Sequence, residues 1–142
     1  MQEPRVLSYS ECEALLRAGV VGRIAVPASD GPHIVPVNYS VVDGAVIVRT
    51  SPDHVVGTHG RNVRVAFEVD YFDHAYERGC SVLARGPTEV VDGPEELARI
   101  RAVWEPRPWA RGHRPLFLRL RWTELTGRQL GEGWYPHRQD HT

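Results

Sequence analysis

The sequence predicts a mainly β domain in which about six antiparallel strands close into a barrel carrying two or three short helices. Three observations carry this prediction. Asp43-Gly44 supplies the positive φ angles of a tight hairpin between two apolar runs. The longest strand signal, residues 79–91, is broken at Gly86-Pro87, where a bulge or bend would let a sheet close and so remove its exposed edges. Residues 116–125 alternate apolar and polar side chains with a clean period of two, as a last barrel strand should.

Taken in order, the chain opens with a helix. Ser8 and Ser10 each precede a glutamate by three residues, Glu11 and Glu13, the reciprocal cap that starts a helix. Cys12, Leu15 and Leu16 give it an apolar face, and Gly19 is expected to stop it in the left-handed conformation. Residues 20–26 form a strand, and Asp30-Gly31 turns the chain into a second strand over 33–42. Pro36 lacks the amide donor of a sheet ladder, so this strand should be interrupted or lie at an edge there. Residues 45–50 complete the hairpin, and Pro52-Asp53 reads as the opening of a short helix.

Residues 64–71 form the next strand, with Val65, Phe67 and Val69 on one face. Residues 70–79 make a polar loop whose aromatic residues are expected to tuck it down, although they could also cap a pocket. After the 79–91 strand, Pro94 suits the first turn of a helix reaching about Trp104, with Leu97, Ile100, Arg101 and Trp104 at helical spacing. Residues 105–115 are rich in proline and arginine and cannot form regular structure. Gly127 should turn the last strand into a small extension at 128–130. The domain is expected to span 1–130, with residues 131–142 a flexible tail.

Length and composition narrow the function. A chain of 142 residues is one ordinary domain and can bury roughly 68–70% of its unfolded surface without staples. A formal net charge of -1 leaves no field to draw it onto DNA or an anionic membrane, so neither is an expected partner. No run approaches the ~18 apolar residues of a membrane span, and the start lacks a secretory core, which predicts a cytoplasmic protein. Cys12 and Cys80 read as reduced thiols, and the seven histidines form no metal-binding pattern.

The chemistry concentrates at the end of the 45–50 strand. Arg49 offers a planar fork of donors, Thr50 and Ser51 offer hydroxyls, and the helix opening beyond them offers unpaired amides, a set that suits a phosphate. Equally, Arg-Thr-Ser at a strand end is common as plain surface.

Four stretches decide how this is read: VGRIAV (21–26), DGPHIVPVNYSVVDGAVIVRTSP (30–52), RVAFEVD (64–70) and GCSVLARGPTEVV (79–91). In their order and spacing they resemble the pyridoxamine 5'-phosphate oxidase-like family of flavin-binding split β-barrels, in particular its nitroimidazole-resistance-protein-like branch. With the leading helix they cover roughly the first two thirds of the chain.

The resemblance implies a six-stranded split barrel that pairs as a homodimer, each cofactor cleft being built from both chains. It implies that Pro36, Val37, Asn38 and Tyr39 lie along the polar edge of a flavin ring. The phosphate of FMN would then sit on Arg49, Thr50 and Ser51. It also suggests that the 105–115 loop reaches over the cleft, with Trp109 stacking there. Two departures stand out. The family usually places a lysine in the short helix, whereas this sequence contains no lysine and has His54, Val55 and Val56 in that stretch, so His54 would have to serve, when protonated. At Cys80 many relatives carry a tryptophan; the smaller residue enlarges the pocket if it lines it, and needs filling by a neighbour if it lies in the core.

The function so implied is an FMN-dependent oxidoreductase acting on a small electron-poor molecule, with the flavin supplying the redox chemistry and no side chain assigned as acid or base. Two alternatives stay open. One is a deazaflavin-dependent reductase; the other is a non-catalytic protein that carries flavin or haem.

Overall fold

The computed structural model describes residues 5–104 and 114–131. Within them the chain forms β1 (Arg5–Val6), α1 (Tyr9–Ala18), β2 (Val21–Ala28), β3 (Gly31–Val42), β4 (Ala45–Thr50) and α2 (Val55–His59). It continues through β5 (Arg64–Asp73), β6 (Arg78–Val91), α3 (Pro94–Trp104), β7 (Leu116–Leu120) and β8 (Glu124–Leu130). Every pairing is antiparallel, and the order β6-β5-β2-β3-β4-β7 closes because β7 also pairs with β6, giving a six-stranded barrel. β8 and then β1 extend the sheet from the other side of β6.

Closure is made where the sequence places its bend. β6 pairs with β8 as far as Arg85 and with β5 as far as Pro87, then takes β7 as its partner from Thr88 onward. Gly86 permits the exchange, since a Cβ there would lie 2.3 Å from the Arg121 carbonyl oxygen of the crossing chain. The Thr123 amide donates to the Arg85 carbonyl at 2.8 Å and ties the crossing down.

The run 116–125 is two strands rather than one. It breaks at residues 121–123, so that β7 pairs with β4 and β6 while β8 pairs with β6. The alternation runs on through Trp122 and Thr123, inside the break, and changes phase only at Glu124 and Leu125, which is the one local mark of a new strand. Gly127 does not turn the chain. It is buried inside β8, where a Cβ would sit 2.8 Å from Cys12 Sγ. Phe117, expected on the polar face, is buried under α3 with Val42, Ile47, Val91 and Ile100, while Leu118 and Leu120 face the barrel core. β7 is therefore covered on both sides.

The core gathers Ile24, Val26, Val46, Val48, Phe67, Val69 and Val82 around Tyr39, all at most 2% exposed. Each such large side chain contributes about 1.5–3 kcal/mol of transfer free energy. α1 seals one end of the barrel with Cys12, Leu15 and Leu16. Its start is the expected capping box: Glu11 N donates to Ser8 Oγ at 3.2 Å and Ser8 N to Glu11 Oε1 at 3.0 Å. Its end differs from expectation. Gly19 has φ -86° and ψ 165°, an extended rather than left-handed residue. Glycine is needed for space, because a Cβ would meet Tyr39 Oη at 2.2 Å and Tyr71 Oη at 2.7 Å. Those hydroxyls donate to the Leu16 and Leu15 carbonyls at 2.5 and 3.1 Å, so side chains from β3 and β5 finish the helix.

Of the 70–79 aromatics, Tyr71 tucks in as expected, but Phe72 and Tyr76 are exposed. Cys80 lies in the core rather than at a cavity wall, and burial pushes its thiol up to about 11. No helix among the described residues is long and apolar enough to cross a membrane. The expected tail lies outside the described residues apart from Gly131.

Candidate functional site

A cleft opens where β3 and β4 part company. β3 is bonded to β2 from Gly31 to Asn38, but to β4 only from Tyr39 to Val42. Over its first two thirds β3 thus has no second strand beside it among the described residues. Tyr39 N donates to Val20 O at 3.0 Å, which fixes the alternation: the main chain of Val35, Val37 and Tyr39 faces β2, and that of Ile34, Pro36 and Asn38 faces the open edge. Pro36 therefore sits in an unbroken strand, at an edge position where its missing N–H leaves no ladder bond unmade. The Pro36 carbonyl and the Asn38 amide and carbonyl are directed to the cleft side.

The opposite wall comes from the end of β4 and the segment leading into α2. Arg49, Thr50, His54 and Arg114 face Val35, Pro36, Val37 and Asn38 across a cavity of about 200 Å³. Arg114 arrives because β7 pairs with β4 in the register Thr50 with Leu116. The Arg114 carbonyl accepts from Arg49 Nε at 3.4 Å and Nη2 at 3.3 Å, and the Arg49 guanidinium carbon stands 5.0 Å from the centre of the Phe117 ring. Arg49 is thereby held half-buried in one orientation. Arg101 of α3 lies over the same ring, at 5.6 Å.

α2 is fastened to the end of β4. The Thr58 hydroxyl donates to Pro52 O at 3.0 Å, and the main chain of Gly57 lies against Ser51 so closely that a Cβ would be 1.9 Å from its carbonyl oxygen. His54 is the N-cap of α2, with Nδ1 accepting from Val56 N at 3.2 Å. The sequence points instead to a helix opening at Pro52-Asp53.

The cleft walls thus carry two guanidinium groups, an imidazole and a buried threonine, with no carboxylate among the lining residues. That donor set suits an oxyanion such as phosphate, and the open edge beside it offers main-chain donors and acceptors to a planar heterocycle. A wider depression of about 530 Å³ lies at the far end of β2 and β5, lined largely by Ala25, Val26, Pro27, Pro32, Val65 and Ala66. It carries a carboxylate, Glu124, which pairs with Arg85, while Arg64 donates to the Thr123 hydroxyl.

The residues singled out in the sequence separate into groups. Pro36, Val37, Asn38, Arg49, Thr50 and His54 come together at the cleft. Tyr39 does not: its ring is 1% exposed and packs edge-on against Phe67 at 4.7 Å, and its hydroxyl serves α1. Ser51 is not a lining residue, and its carbonyl accepts from His54 N at 3.1 Å. Trp109 lies outside the described residues. Sequence reasoning places Arg114 only within an arginine-rich loop; the strand pairing that delivers it leaves no local mark.

Comparison with known proteins agrees with this architecture. The profile of the family described as Pyridoxamine 5'-phosphate oxidase matches residues 8–129. The uncharacterized protein Rv0080 of Mycobacterium tuberculosis is 35% identical over 105 residues, 70% of this chain and 69% of that protein. The structure of a FAD binding protein from Mycobacterium smegmatis is similar with a TM-score of 0.74 at 30% identity, covering 87% of this chain and 96% of that one. The structure of a conserved protein of unknown function, DIP1874 from Corynebacterium diphtheriae, has a TM-score of 0.71 at 31% identity, covering 88% and 96%.

Proposed function

The chain belongs to the pyridoxamine 5'-phosphate oxidase family, and on that premise we propose that it is a flavin-binding oxidoreductase with FMN as its cofactor and the β3–β4 cleft as its seat. The observation that carries this reading is the convergence of Arg49, Arg114, His54 and Thr50 on the edge of β3 that β4 leaves uncovered, with no carboxylate among the lining residues. Arg49, Arg114, Thr50 and His54 hold the phosphate, and the Pro36 carbonyl and the Asn38 main chain bond the polar rim of the ring. A bound flavin supplies the hydride or electron chemistry. The protein orients the ring and excludes water from one face. No carboxylate lines the cleft and its one imidazole, His54, is assigned to the phosphate, so no side chain is left over for general acid or base work, as suits a small electron-poor substrate, such as a nitro compound, that needs little more than reduction.

A cavity of about 200 Å³ falls short of the roughly 300–1,000 Å³ that a nucleotide-sized ligand fills. A second copy of the chain is proposed as the missing wall, making a homodimer. The outer face of the β2–β3 hairpin supports this, since Val21 and Ile34 are exposed beside Pro27, Pro32 and Pro36. A second reading, the dinucleotide FAD, is favoured by the ligand named for the Mycobacterium smegmatis relative.

Native mass spectrometry of the purified chain incubated with FMN or FAD tests all of this together. A two-subunit species carrying two FMN supports the reading, and two FAD supports the second. A species that retains neither overturns both. Retention of a deazaflavin or of haem from the expression host would redirect the assignment to that cofactor.

A further inference from the structure

His54 does two things that pull on different atoms of one ring. Its Nδ1 accepts the Val56 amide at 3.2 Å and caps α2, and the same side chain forms part of the cleft wall with Arg49 and Arg114. An imidazole nitrogen that accepts a hydrogen bond from a main-chain N–H carries no proton, so in the neutral ring the proton resides on Nε2. Among the described residues Nε2 has no protein partner. We infer that His54 is a phosphate-binding residue that acts as a neutral Nε2–H donor, its tautomer fixed by the helix cap.

This rests on the flavin reading and sharpens it. A charged imidazolium would need a proton on Nδ1, which would then confront the Val56 N–H and leave the cap unmade. The charge in the cleft therefore comes from Arg49 of β4 and Arg114 before β7, with His54 adding direction. Asp53 is adjacent in the chain but exposed and outside the cleft lining, and His59 sits at the other end of α2. The expectation that His54 serves as a protonated stand-in for an absent lysine is replaced by a neutral contact.

The test compares wild type with His54→Asn in the full chain, titrating FMN and riboflavin, which lacks the phosphate. Asparagine caps a helix as well as any residue but carries no donor at the Nε2 position. The expected result is an unchanged melting temperature, FMN affinity reduced about tenfold or more, and riboflavin affinity unchanged. Nitrogen-15 spectra of the wild type should show Nε2 protonated and Nδ1 bare, with the Nε2–H proton moving downfield when FMN is added. That measurement stands even where the variant does not fold. Equal FMN affinity in the variant, a proton on Nδ1, or an Nε2–H that ignores FMN overturns the inference while leaving the flavin reading intact. Wild type that binds no FMN overturns the reading itself and the phosphate role of His54 with it.

Discussion

Removing the Arg49 guanidinium separates the anion seat from the scaffold that holds it. In Arg49→Ala the protein loses two long hydrogen bonds to the Arg114 carbonyl, at 3.3 and 3.4 Å, and a cation–π contact with Phe117 at 5.0 Å. Such contacts at a half-buried position are worth about 1 kcal/mol together, or about 3 °C in melting temperature for a domain of this size. The barrel should stay folded. A charge-assisted bond to phosphate is worth about 1.5–3 kcal/mol, so FMN affinity should fall by about ten- to a hundredfold. Riboflavin affinity should not move. The assay is quenching of flavin fluorescence, with thermal melts on the same samples. Arg101→Ala is the control, because it removes a cation from the same ring without touching the cleft lining, and it should leave FMN affinity unchanged. Undiminished FMN binding in Arg49→Ala, or equal losses for FMN and riboflavin, would refute the phosphate seat.

Three further outcomes are expected. Tyr39→Phe should cost about 1–3 kcal/mol in denaturant unfolding by leaving the Leu16 carbonyl without its donor, and Gly19→Ala should cost less in that background than in wild type, by about 1 kcal/mol. Strict additivity would deny that the two groups collide. Gly57→Ala should destabilise by about 1–3 kcal/mol and weaken FMN binding, because the new Cβ meets the Ser51 carbonyl and must push α2 off β4; an unperturbed melt would show that the contact is slack. The hydrogen bonds from Arg5 and then from the Ser8 amide hold the Glu11 carboxyl at about 2, below its ordinary value of 4.5. Its folded state thus prefers the anion, and the stability it contributes is complete above about pH 4.5 and is lost as pH falls towards 2. Glu11→Gln should flatten the pH dependence of unfolding in that window, and an unaltered slope would assign it to other carboxylates.

Much of this architecture can be read locally because local chemistry causes it. Asp43-Gly44 turns the chain whatever surrounds it, with φ of 52° and 72°. The Ser8–Glu11 box starts α1 from within one turn. Six of the nine residues proposed from the sequence for the cofactor meet at one cleft, since Pro36 to Asn38 and Arg49 to His54 lie on the two arms of a single hairpin and its extension. Tyr39, expected with them, lies outside the cleft because β3 takes β4 as its partner from Tyr39 onward, which closes the gap, and its ring is buried against Phe67.

The sequence alone determined the strand count of the barrel, the hairpin at its centre and the family, because turn residues, period-two alternation and motif order are properties of neighbours along the chain. Tertiary structure decided the rest: that residues 121–123 divide the last run between two strands with different partners, that Gly19 answers to two tyrosine hydroxyls, and that Arg114 faces Arg49. It also decided that His54 caps a helix with one nitrogen and leaves the other for the cleft. Apart from the His54 cap itself, which is a contact between near neighbours, each of these depends on which strand lies beside which, and pairing between distant segments is set by closure of the barrel and leaves no trace in local order.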